Sequence, residues 1–476
     1  MAHPGTSPVP HSTGPTHRIG DLELTDHRFR VPLTHAWSWG HETEYSDVDR
    51  HGLDGVSIDL FARVVTHRGP EGLGEPEERP YFVYLQGGPG MASPRPMTDS
   101  GWVRHMAKAY RVVLLDQRGT GLSTPISAGG LARFGSPEKQ VAYLEHFRAD
   151  SIVADAECVR ATLTASESEK RWASLGQSFG GFITLTYLSF APNSLLHSWM
   201  TAGLAPINSS PAETYRSTFD RVAERNAQYY DWYPEDQARG VRIASFLENH
   251  DVRLASGERL TAHRFQMLGH HLGGNSRVHG LHYLLESAFS EGPERLSERF
   301  LTDVGNAVSF AGQPLYALMH EAIYCDGPGV ASNWSADRIR SSRPDYSEEA
   351  DPLLFTGEMI HPWYFAEDPA LSPVNEAAEL LARKSDWGNL YDVDQLARNT
   401  VPVAASAYRH DVYVDFDHAM ETASSVSNLH TWTSNSMHHD ALGHNTEEVL
   451  ANLGRILVED GALEESPVLF TDHKTV

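Results

Sequence analysis

The chain has 476 residues, of which 40% are hydrophobic and 10% aromatic, enough to bury a large core in two or three domain-sized units or in one domain carrying an insertion. Its 63 acidic residues against 38 basic ones give a formal charge of −25, which argues against nucleic acid and anionic membrane as partners. No apolar run reaches the ~18 residues that span a bilayer.

Residues 1–20 lack a basic stretch followed by an apolar one, so no signal peptide is read. Their Pro, Ser, Thr and Gly content predicts a disordered leader. "LELTDHRFRVPL" and "VSIDLFARVV" read as strands that pair antiparallel. "RPYFVYLQGGPG" is an apolar run of buried-strand length ending in a glycine-rich loop, and "YRVVLLDQRGTGLS" repeats that plan. "DSIVADAECVRATL" has helical spacing, with Ile152, Ala156, Val159 and Leu163 on one face. "RWASLGQSFGGFITLTYLSFAP" reads as strand, turn and helix, and "LHSWMTAGLAP" as a further strand. Strands alternating with helices predict a mostly parallel sheet flanked by helices on both faces.

After Pro206 the chain turns polar-aromatic and mainly helical in pattern. Strand signals return at "NTVPVAASAYRHD" and "NLHTWTSNSM", and "HNTEEVLANLGRILVEDG" reads as a helix with Asn445 and Glu448 spaced for a capping box. The expected organisation is a leader over 1–20, an α/β core over 21–206, a helical cap over 207–395 inserted after the sixth core strand, and the rest of the core over 396–476. Cys158 and Cys325 stand far apart, match no metal spacing and fit a reducing, cytoplasmic location. The richest histidine stretches, "LGHHLGGN" and "MHHDALGH", lack the His-Glu-x-x-His pattern, so no metal is expected.

Three loops at the carboxyl ends of predicted strands carry the chemistry, because open α/β sheets place their sites there. Gly176-Gln177-Ser178-Phe179-Gly180 joins a strand to a helix through a turn that lifts one serine clear of its neighbours. A serine hydroxyl needs a base, usually a histidine oriented by a carboxylate, in the chain order Ser, acid, His. Asp411 directly follows a predicted strand, and His438 and His439 follow the next one. Spacing does not choose between the two histidines. Asp415 and Asp417 are read as solvent-facing or helix-capping, and His444 as a cap. Gly87 and Gly88, with the N–H of Phe179, would form an oxyanion hole; no Gly-Lys-Ser/Thr follows to make this a phosphate loop. Arg118 is expected to tie loops together.

"LQGGPG", "DQRGTGLS" and "GQSFGG", in that order, resemble the proline iminopeptidase (prolyl aminopeptidase) family of α/β-hydrolases, and the resemblance runs from about residue 28 over most of the chain. Gln86 stands where that family typically has His, and Gln177 and Phe179 where it has Gly and Trp. The resemblance of "YRHDVYVDFDHAMETA" and "MHHDALG" to the family's segments implies Asp411 as the acid and His439 as the base. It also implies a cap carboxylate for the substrate's terminal amine at Glu321, in "LMHEAIYC", with Glu358 as the source of a second, while Trp363 in "HPWYF" would wall a proline pocket. The implied activity is release of an N-terminal proline, or a similar small residue, from a peptide or small amide with a free amino terminus, without a cofactor. The alternatives are an esterase, amidase or broader aminopeptidase on the same fold, and a binding protein that kept the pocket.

Overall fold

A computed structural model describes residues 7–35, 53 and 55–465. The β-branched and aromatic runs become strands: β1 (His11–Ile19), β2 (Leu22–Pro32), β3 (Ser57–His67), β4 (Tyr81–Leu85), β5 (Arg111–Asp116), β6 (Trp172–Gln177), β7 (Leu195–Thr201), β8 (Val403–Tyr408) and β9 (Leu429–Ser434). They form one sheet in the order β1-β2-β3-β5-β4-β6-β7-β8-β9. The first three pair antiparallel, as does β3 with β5; from β5 onward every pairing is parallel.

The expected disordered leader is corrected from His11 onward, where β1 adds an edge strand to β2; residues 1–6 lie outside the described residues. Backbone pairing holds β1 with exposed cross-strand contacts, His11 to His27 at 2.8 Å and Thr16 to Thr25 at 3.0 Å, and every side chain except Ile19 is exposed. An edge strand without a buried face leaves no hydrophobic alternation to read. Its register shifts between Thr13 and Thr16, across Gly14-Pro15, where proline has no N–H to offer the ladder.

The parallel strands are buried on both faces, which explains their continuous apolar runs. On one face pack the helices Ala149–Leu163 and Phe179–Phe190. On the other pack Gly101–Ala107 and Thr446–Glu459, through Val103, Met106, Val449, Leu450 and Leu453. The expected capping box on the last helix does not form. Asn445 makes no side-chain cap bond, because the turn Ala441–His444 runs straight into the helix and the Asn445 N–H is taken by the Ala441 carbonyl.

Between β7 and β8 the chain forms helices and short 3₁₀ turns from Pro211 to Leu396, with no strand among the described residues. This helical layer shares the largest buried cluster with the sheet: Leu315–Met319, Phe355 and Tyr364 belong to the same cluster as Val83, Leu115 and Ile183. Arg118 ties loops together as expected: it donates to the carbonyls of Leu33 and His146 at 2.7 Å and pairs with buried Asp155. No helix among the described residues is long and apolar enough to cross a membrane.

Candidate active site

Parallel pairing sends the carboxyl ends of β4, β6, β8 and β9 to one edge of the sheet, and the loops leaving them carry Gly87-Gly88, Ser178, Asp411 and His438-His439. Ser178 sits at φ 56°, ψ −125°, a region side-chain-bearing residues avoid. Its amide is tied to the Thr201 carbonyl at 3.0 Å, and its carbonyl accepts from the Gly181 N–H at 2.7 Å. The flanking glycines make the turn sterically feasible. A Cβ on Gly180 would lie 1.9 Å from the Leu85 carbonyl oxygen, and one on Gly87 would lie 2.7 Å from the Ser178 Cβ. Thus the "LQGG" loop lies directly against the serine. Gln117 holds that loop from below, its side-chain amide donating to the Gln86 carbonyl at 3.0 Å.

The choice between the two histidines is made by hydrogen bonding. His439 Nδ1 meets Asp411 Oδ2 at 2.8 Å with both residues buried, whereas His438 Nδ1 faces the His410 carbonyl at 3.2 Å. Asp411 Oδ1 accepts the N–H groups of Tyr413 at 2.8 Å and Val414 at 3.1 Å, which fixes the carboxylate's orientation. Burial works to lower the His439 pKa, but the Asp411 charge and hydrogen bond outweigh it, Glu358 adds to them, and the net shift is upward. Burial, helped by the Arg225 charge, lowers His438 to about 4, leaving it neutral. Asp415 caps the helix Phe416–Ser425 through the N–H groups of Asp417 and His418, as its position suggested.

Glu321 is buried, and its carboxylate accepts the N–H of Ala336 at 2.9 Å and of Ser335 at 3.3 Å, at the start of the helix Ser335–Ser341. Burial nevertheless raises its pKa to about 7. Glu358 is half-buried and stands closer to the histidine: its charge acts on His439, Tyr413, Tyr324 and Tyr316. Tyr215 and Tyr324 feel the charge of both glutamates, so the two carboxylates flank one aromatic wall. Trp363 lies further out, stacked on His361 at 5.2 Å; its neighbour Tyr364 reaches Phe310, which in turn reaches Tyr316. Among the described residues, no group of three or more His, Cys, Asp and Glu side chains is arranged to hold a metal ion.

Residues 80–274 match the family described as the alpha/beta hydrolase fold. A proline iminopeptidase of Aeromonas sobria is 43% identical over 446 residues, which cover 93% of this chain and 99% of that protein. The chain belongs to the proline iminopeptidase family. Proline iminopeptidase aneH of Aspergillus aculeatus is 36% identical over 442 residues, covering 91% of this chain and 93% of its own. The crystal structure of a proline iminopeptidase from Mycobacterium smegmatis is 16% identical, covers 86% of this chain and 97% of its own, and has a TM-score of 0.39. The sheet and helical layer are those of an α/β-hydrolase with a cap, as the sequence implied.

Several residues around this candidate site carry no motif in the sequence. Tyr413 meets the His439 ring edge-on at 4.8 Å, and Tyr316 packs where a Cβ on Gly88 would come within 3.3 Å of it. His320 is buried and lies 4.8 Å from the Tyr316 ring. The signal for Tyr413 was its position two residues after the candidate acid. For Tyr316 and His320 it was their place in the same short helical stretch as Glu321.

Proposed function

We propose that this protein is a serine aminopeptidase that releases N-terminal proline from peptides, with Ser178, His439 and Asp411 as its triad. The observation that carries this reading is the buried Asp411–His439 pair at 2.8 Å, at the same sheet edge as a serine held at φ 56°. His439 takes the proton of Ser178 as its Oγ attacks the prolyl carbonyl carbon. The N–H of Phe179 and the amides of the Gly87-Gly88 loop receive the oxyanion. The C–N bond then breaks, His439 gives its proton to the leaving amine, and water activated by the same imidazole hydrolyses the prolyl ester. No step needs a cofactor.

Amine recognition separates an aminopeptidase from a generic hydrolase, because a buried ammonium requires a carboxylate partner. Glu358 takes this role directly, since its charge already acts on His439, and Glu321 adds a second charge behind Tyr215 and Tyr324. Trp363 supports the aromatic stack whose inner member is Tyr316. The substrate is a peptide or small amide with a free amino terminus.

The test is a panel of proline- and alanine-linked chromogenic amides and an ester, run on the wild type and on Ser178→Ala, His439→Ala and His438→Ala. Ser178→Ala should lose on the order of 10⁶ in kcat on the prolyl amide. His439→Ala should lose a comparable factor, and His438→Ala far less. Retention of more than roughly a few per cent of activity by Ser178→Ala would place the nucleophile elsewhere. A preference for the ester over both amides would favour an esterase.

A further inference from the structure

The loop that carries the candidate acid packs into the cap. Val412 and Tyr413, directly after Asp411, are buried in a cluster whose other buried members all lie between Tyr215 and Met359, among them Phe219 and Val222 of the helix Pro211–Trp232. The N–H groups that orient the Asp411 carboxylate belong to Tyr413 and Val414, and the Tyr413 ring meets His439. Whatever fixes this loop therefore fixes both members of the pair.

Three polar side chains spaced one turn apart on that cap helix, Ser217, Arg221 and Arg225, form a stripe along the loop. Ser217 Oγ meets Nε2 of His418, in the first turn of the helix Phe416–Ser425, at 2.9 Å. Arg221 Nε donates to Asp415 Oδ2 at 2.7 Å, and its Nη2 donates to Asp417 Oδ2 at 2.7 Å. Arg409, two residues before Asp411, donates to the other oxygen of Asp417 at 2.9 Å, so the loop is tied at both ends. Buried Arg225 donates to the carbonyls of Leu272 at 3.0 Å and Gly274 at 3.2 Å. Between them a Cβ on Gly273 would overlap the Tyr413 ring, and the same turn offers the His270 carbonyl, which accepts from the Tyr413 hydroxyl.

We propose that Arg221 is a positioning residue for catalysis: from the cap it holds Asp415, and with it the loop that aligns Asp411 and His439, while Arg225 and the Tyr413 hydroxyl hold the loop's other side. The inference rests on the triad reading above and adds to it a dependence of the acid–base pair on the seating of the cap. Burial and the Arg277 charge lower the His439 pKa, Asp411 and Glu358 raise it, and the net shift is upward. A loosened Asp411 supports the imidazolium less, so the pKa of the base falls and the rate falls with it.

The experiment measures kcat, KM and pH profiles on a prolyl amide and an ester for the wild type, Arg221→Gln, Arg221→Lys, Tyr413→Phe and Asp411→Asn, each below its own melting midpoint. Asp411→Asn sets the scale and should lose about 10⁴ in kcat. Arg221→Gln and Tyr413→Phe should each lose about tenfold in kcat on both substrates, with KM within about twofold of the wild type. Arg221→Lys should recover part of the loss, because it keeps a charge facing Asp415. In Arg221→Gln and Tyr413→Phe the acid limb of the kcat/KM profile should move to lower pH, a shift that a smaller folded fraction does not produce. Losses in KM with kcat and the acid limb unchanged, losses on the amide alone, or kcat within about twofold of the wild type would each overturn the proposal while leaving the triad intact. Full activity in Asp411→Asn would overturn the triad reading, and this one with it.

Discussion

Glu321 is a carboxylate placed where its charge is unfavourable. It is 6% exposed, and burial lifts its pKa from 4.5 to about 7 against two backbone N–H bonds. The folded form therefore binds the extra proton between those two pH values. Its contribution to stability is fully present below pH 4.5 and is lost as pH rises through about 7, at a cost of about 3 kcal/mol by pH 8. Glu321→Gln should raise the denaturation midpoint at pH 8, leave it unchanged at pH 4, and weaken binding of prolyl amides above pH 7. A lower midpoint at pH 8 with unchanged kinetics would make Glu321 purely structural. Glu358→Gln should cost more in catalysis, because an unpaired buried ammonium costs about 3–5 kcal/mol, or 10² or more in kcat/KM. A neutral ester of similar size should be spared; equal losses on amide and ester would remove Glu358 from amine recognition.

Local signals explain which elements were legible. Ser178, the Gly87 loop and Asp411 were readable because each follows an apolar run within a few residues, and turn chemistry is written in adjacent positions. His439 needed the resemblance, since the pair His438-His439 carries no local difference and the deciding partner Asp411 is 28 positions away. β1 was not legible because an edge strand with no buried face leaves no hydrophobic alternation, and its cross-strand contacts, such as His11 on His27 and Phe29, are polar or exposed. The clamp on the 3₁₀ turn Glu321–Tyr324 was hidden for another reason: it is supplied by Arg148, 174 and 177 positions from its partners. That buried guanidinium donates to the carbonyls of Ala322, Cys325 and Gly388 and lies 4.5 Å over the Trp387 ring. Arg148→Met keeps the length but strands three carbonyls, so denaturant unfolding should show a loss of about 3–5 kcal/mol. Because the turn carries Glu321, KM for prolyl amides should also rise more than KM for an ester. A stability change below roughly 1 kcal/mol would mean that the three carbonyls find other partners.

At the scale of the whole molecule, the division into core and cap does not coincide with a break in packing. The proposed site draws on both: Ser178, Asp411 and His439 stand on sheet loops, while Glu321, Glu358 and Tyr316 come from the helical layer. The buried cluster passes without interruption from Val83 and Leu115 through Phe147 and Ile183 to Leu318, Tyr364 and Leu381. Polar contacts cross the same boundary, in the buried Arg148 clamp and in the partly buried Arg221–Asp415 pair at 2.7 Å, which joins the helix Pro211–Trp232 to the loop that carries Asp411. A cap with its own core would unfold on its own; one that shares its core cannot lose its packing without uncovering the sheet. The chain should therefore lose tryptophan fluorescence, far-UV helix signal and aminopeptidase activity in a single coincident transition with denaturant. A chain from which residues 207–395 are replaced by a short linker should expose that shared apolar surface and aggregate. Two separated transitions, with helix signal lost before the sheet's tryptophans Trp172 and Trp199 become exposed, would show that the cap is an independent unit.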